Sequence, residues 1–254
     1  MKIKQMFATA ILTLVVTVAL VGTAFSASTD SSVSHGLFSE LLHQYVADGK
    51  VNYAGFKSEE AKLDRYLDRL QKVDPNALSR NEQFAFYINV YNAWTIKLIL
   101  TKYPGIDSIK ELGVFNTGPW KKQVVRLNGE TVSLDHIEHD ILRPRYKDPR
   151  VHFAINCAAL SCPPLRSEPF VAEKLDQQLD DATRAFINNP ASYRLEGRNL
   201  HVSRIFKWFS EDFNDDPLSF YLKYANPELK NKLENSPGKI NIEYLEYDWS
   251  LNGE

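Results

Sequence analysis
The chain has 254 residues, of which 44% are hydrophobic and 12% aromatic, with 30 basic against 32 acidic side chains and a formal net charge of −2. That composition supports one sizeable packed core and excludes a disordered chain, a collagen-like repeat and a disulfide-dense miniprotein. The near-balanced charge offers no positive footprint for nucleic acid.

The amino terminus reads as a targeting segment. Lys2 and Lys4 precede an apolar run over residues 6–21, and Gly22, Thr23, Ala24, Ser26 and Ala27 supply small residues for cleavage. Residues 1–27 are therefore expected to be a signal peptide and residues 28–34 a flexible leader. Residues 35–254 then form a single domain, periplasmic or secreted. An uncleaved anchor helix is the alternative, and it is the sole membrane contact expected. Oxidising chemistry is allowed in such a compartment.

Helical spacing of Leu37, Leu41, Leu42 and Tyr45 predicts a helix over residues 35–47, closed by Asp48-Gly49. Leu63, Leu67 and Leu70 predict a second over 57–71. Ser79 and Glu82 form a capping box that opens a helix running to about residue 102, ahead of Pro104. Its middle, residues 84–94, carries no charge, so it is expected to be buried on all sides. Asn89 and Asn92 share one face of it and must find hydrogen-bond partners. Asn128-Gly129 predicts a type I′ hairpin, and Ser133 caps a helix over 134–142 that Arg143-Pro144 ends. Alternation of Val151, Phe153 and Ile155 with His152, Ala154 and Asn156 predicts a strand. Further on come a helix over 173–187, a hairpin around Gly197, a short aromatic helix over 203–209, a helix over 218–224 and a last strand over 240–247. Helices dominate early and strands late, with no repeated βα unit. The expected fold is α+β: one domain with helices packed on a mostly antiparallel sheet.

The two cysteines, Cys157 and Cys162, stand five residues apart just past the expected strand. They allow a local disulfide, a nucleophilic Cys157, or thiolate ligands in a metal site with histidines. His152 points away from Cys157 on a regular strand, which makes His139 the better base. Asp135 lies at i,i+4 from His139 and is placed to orient its ring, with Glu138 as the other orienting carboxylate. Glu138, His139 and His152 form an alternative metal-ligand set, although adjacent helix positions diverge. The aromatic stretch 206–209 and the end Tyr247-Asp248-Trp249 read as core. P-loop, dinucleotide and serine-elbow motifs are absent from the sequence, so no cofactor is expected.

Several stretches together resemble the DUF547 family, a domain of unknown function found in bacteria and plants. They are Asp48-Gly49-Lys50-Val51-Asn52-Tyr53, the helix segment 86–93, and residues 133–139, 152–164, 202–213 and 247–251. The resemblance implies one family domain filling the chain after the leader. It includes the helix asparagines, Glu138-His139, His152, Asn156 and both cysteines in its pattern, and it supplies no activity.

The resulting expectation is a polar pocket with the asparagine helix as its floor. Thiol-dependent hydrolysis or transfer at an amide or thioester would use Cys157, His139 and Asp135 or Glu138, loosely analogous to papain or transglutaminase. Asn89 or Asn92 would donate to an oxyanion, with His152 and Asn156 in the binding wall. The rival is a non-catalytic ligand- or protein-binding module stapled by a Cys157–Cys162 disulfide. Its partner would be a small molecule or peptide.

Overall fold
The computed structural model describes residues 33–113 and 117–253. The expected signal peptide and all of the leader but Val33 and Ser34 lie outside the described residues. Residues 31–254 make one compact unit.

The first layer is helical. Helix α1 (Gly36–Tyr45) gives way to a two-residue strand β1 (Val46–Ala47), which turns through Asp48-Gly49 into β2 (Lys50–Val51). The helix expected over 57–71 is two, α2 (Tyr53–Ser58) and α3 (Glu60–Leu70), because Asn52 caps a separate start by accepting from the Gly55 amide. Helix α4 (Arg80–Leu100) has the expected capping box: the Ser79 side chain accepts from the Glu82 amide while the Glu82 carboxylate accepts from Ser79. Its residues 84–96 are buried without a break, and one core surrounds it.

Strands β3 (Val125–Leu127) and β4 (Glu130–Val132) form the expected hairpin. Asn128 and Gly129 both take positive φ (47° and 82°), as a type I′ turn requires. Ser133 then accepts from the His136 amide and opens a continuous helical stretch: α5 (Leu134–His136), a π turn (Ile137–Leu142) and α6 (Arg143–Tyr146). Arg143-Pro144 does not stop it. Pro144 lies where the π turn passes into α6.

The strand expected over 151–156 does not form. Pro149–Phe153 is a 3₁₀ turn, started by Asp148, whose carboxylate accepts from the Arg150 amide. Residues 151–156 are all buried, on either side of the chain, so their alternation marks no single sheet face. Helix α7 (Leu175–Ile187) follows. A second core packs it against β5 (Tyr193–Glu196), β6 (Asn199–Val202), α8 (Ile205–Trp208), α9 (Pro217–Tyr224), α10 (Pro227–Glu234) and the segment leading to β7 (Asn241–Tyr244).

The fold is α+β in one domain, and three of its four strand pairs are antiparallel. No one sheet carries the helices: the strands form three small sheets, and β7 joins β6 in parallel. No helix of the described residues is long and apolar enough to cross a membrane.

Candidate functional site
The segments that follow the two cores converge on one loop, residues 156–164. Asn156 organises it. Its side-chain carbonyl accepts from the Ala158 amide (2.9 Å) and from Asn252 Nδ2 (3.2 Å), and its Nδ2 donates to the Pro163 carbonyl (2.8 Å). Those bonds hold Ala158 at φ 62°, a conformation a residue with a Cβ adopts only when its surroundings impose it. Asn252 accepts from the Tyr53 hydroxyl (2.7 Å) and gives its carbonyl to the Val51 amide (2.9 Å). Gly49, at φ 79°, lies so close to Pro164 that any Cβ would collide with it. The motif 48–53, the cysteine loop and the chain end are thus one interlocked unit.

Cys157 and Cys162 are bonded to each other, and no described residue carries a free thiol. Cys157 is half-buried and Cys162 buried. The Cys157 amide donates to Cys162 Sγ (2.9 Å), and the Tyr247 hydroxyl lies 3.3 Å and 3.4 Å from the two sulfurs. The attacking thiol expected at Cys157 is therefore absent in this state, and the local bridge is what the loop contains.

Beside the bridge is a cavity of about 180 Å³. The π turn supplies one wall. Asp135, Glu138 and His139 all line the cavity, although an α-helix would turn adjacent residues apart; the wider π turn, a feature frequent at functional sites, brings Glu138 and His139 onto one side. His139 Nε2 lies 3.6 Å from Asp135 Oδ1, so the expected pair exists. Its Nδ1 accepts from Arg143 Nη1 (3.0 Å), which leaves that lone pair engaged. Arg143 in turn binds Asp212 Oδ2 (2.6 Å) and Glu211.

His152 also faces the cavity, stacked on Phe209 at 4.1 Å. Its Nε2 meets Asp212 Oδ2 at 2.7 Å. Burial pushes the Asp212 carboxyl up, but His152 and Arg143 outweigh that and hold it at about 2. Sequence reasoning missed Asp212, which lies sixty positions from its partner. The alternative metal set is not assembled: among the described residues no group of three His, Cys, Asp or Glu side chains is placed to hold an ion.

Neither helix asparagine reaches the cavity. Asn89 pairs with the backbone of Phe170, donating to its carbonyl (2.8 Å) and accepting from its amide (3.0 Å). Asn92 does the same across the chain, to the Ala154 carbonyl (2.9 Å) and from the Asn156 amide (2.8 Å). These amides are structural, and the expected oxyanion role has no geometry behind it. Asn156 is likewise consumed by the loop it organises. Helix α4 still provides the floor, through Tyr91, whose hydroxyl donates to Glu138 Oε2 (3.2 Å). Burial, with the Glu138 and Asp135 charges nearby, pushes the Tyr91 phenol far above its usual value.

The remaining wall is aromatic. Trp120, Trp208, Phe209, Tyr247 and Trp249 all line the cavity. Tyr247 touches Trp249 and Trp208 at ring-centre distances of 4.5 Å and 4.8 Å, and Trp120 stands 5.5 Å from Trp249. Residues 206–209 and 247–249, expected as core, thus split their surface between core and pocket; Trp208 is 45% exposed.

Searches of curated proteins and of solved structures find no match to this chain. The family match takes in α4, the π turn, the cysteine loop and Trp120, and ends before the other four rings of the aromatic wall. Residues 75–187 match the family model described as "Protein of unknown function, DUF547", and the chain is similar to that family over this span.

Proposed function
We propose that this domain is a small-ligand-binding module whose pocket is held in shape by the Cys157–Cys162 bridge. One observation carries the reading: six aromatic rings, two carboxyl groups and two imidazoles surround a small cavity beside two sulfurs already joined to each other. Ligand pockets have this composition, apolar walls with a few convergent polar groups. Export through the amino-terminal segment belongs to the same proposal, because an oxidising compartment keeps such a bridge closed.

A second reading is favoured by the shared wall of Cys157, His139 and Asp135. With the bridge reduced, Cys157 becomes available for thiol-dependent hydrolysis or transfer at an amide or thioester. His139 must then release Arg143 before it can accept the thiol proton.

One experiment addresses both. A neutral environment-sensitive dye such as N-phenyl-1-naphthylamine is titrated into the oxidised protein, the reduced protein and a Cys157→Ser/Cys162→Ser variant. The binding module requires saturable binding to the oxidised form, weakened at least several-fold once the bridge is gone; equal binding by all three removes the staple from the account. Iodoacetamide labelling of the reduced protein tests the second reading. Selective alkylation of Cys157, slowed by His139→Gln, supports thiol chemistry, and equal slow labelling of both cysteines rejects it.

A further inference from the structure
Glu138 differs from every other acid group around the cavity. Asp135 has His139 beside it, Asp140 has His136 at 2.8 Å, and Asp212 has both His152 and Arg143. Glu138 is only 9% exposed, and its one hydrogen bond comes from the neutral Tyr91 hydroxyl. Among the described residues no Lys, Arg or His pairs with it. Nor does any lysine or arginine line the cavity that it faces. A carboxylate withdrawn from water without a counter-charge is costly, and proteins retain one where something else completes it. The Glu138 charge acts on Tyr247 as well as Tyr91, so it bears on the aromatic wall as well as the floor.

That wall is suited to the missing charge. Trp208, Tyr247 and Trp249 stand in mutual contact, and Trp120 adds a fourth ring beside Trp249. Ring faces attract cations, tryptophan most strongly. Trp249 already does so on this protein's own account, with Lys110 Nζ 4.7 Å from its ring centre. An anionic ligand would meet Asp135 and Glu138 with no lysine or arginine in the lining to offset them.

From this juxtaposition we infer that the pocket takes a small organic cation, a substituted ammonium whose charge lies against Glu138 and whose alkyl groups rest on the tryptophan and Tyr247 rings. The inference rests on the ligand-binding reading above and names its ligand class.

The test uses the full oxidised chain and isothermal calorimetry with three probes of similar shape: choline, its neutral isostere 3,3-dimethylbutan-1-ol, and 3,3-dimethylbutanoate. Choline should bind at least tenfold more tightly than the alcohol, and the carboxylate more weakly than either. Glu138→Gln should erase the preference for choline over the alcohol. Trp208→Leu, at an exposed position, should weaken choline 3–10-fold and serves independently should the Glu138 variant fold poorly. Equal affinities for choline and the alcohol, or a preference that survives Glu138→Gln, overturn the cation assignment and leave the binding module standing. Failure of all three probes in protein that still binds N-phenyl-1-naphthylamine overturns the cation assignment alone, and failure of the dye as well overturns both.

Discussion
Two regions of the molecule bury polar side chains, and they treat them in opposite ways. On helix α4, Asn89 and Asn92 are 1% and 3% exposed, and each grips a backbone carbonyl and amide from a distant segment. On the π turn, Glu138 is buried nearly as deeply but has only a neutral hydroxyl for company. The asparagines are spent on holding the fold, and the glutamate remains open toward the cavity. Burial of a polar group therefore marks function only after its partners have been counted.

The sharpest way to break this contrast is Asn92→Ala. It strands the Ala154 carbonyl and the Asn156 amide in a dry interior, at about 1–3 kcal/mol for each group. Urea unfolding should show a loss of about 2–5 kcal/mol, and a loss under 1 kcal/mol would mean that water replaces the amide.

A second test concerns His35, at the foot of the asparagine helix. Asn89 Nδ2 is a donor, so His35 Nε2 must accept from it (3.3 Å), while Nδ1 faces the Tyr66 hydroxyl at 2.6 Å. Burial lowers the imidazole from 6.5 to about 4. The unfolded chain thus binds the proton more readily than the folded one. Stability from this site is full above pH 6.5 and drains away as pH falls from 6.5 toward 4. Stability should rise with pH from 4 to 6.5, and His35→Gln should flatten that rise; an unchanged slope would assign the acid sensitivity elsewhere.

The smallest expected effect sharpens the other half of the comparison. Glu138→Gln removes an uncompensated buried charge while keeping its shape, so stability should hold or rise, by on the order of 1 kcal/mol. A marked destabilisation in thermal melts would show that the carboxylate is a structural group like the asparagines.

Much of the fold was legible in the sequence where local chemistry decides it. The Ser79–Glu82 capping box, the Asn128-Gly129 turn and the Ser133 cap each act within a few residues, and each is present. Residues 151–156 misled because period-two patterning presumes one wet face, and here both are covered. The π turn was illegible because an α-helical period assigns Glu138 and His139 to different directions. For the site, the sequence picked out Asp135, Glu138, His139, His152 and both cysteines, which do share one cavity. It could not supply Asp212, Trp120 or the pocket-facing role of Trp208 and Trp249, since those depend on where separate cores bring the chain together. It also misjudged Asn89, Asn92 and Asn156, because an amide on a helix or loop looks the same whether it faces a cavity or a carbonyl.

The interlock at Asn252 has a practical bearing. Leu251 bridges to Ala159 and Gly253 to Val51, so the final handful of residues closes the ring that fixes the cysteine loop. Trimming by a carboxypeptidase, or a bulky fusion abutting Gly253, would reach the pocket from what looks on paper like a dispensable tail.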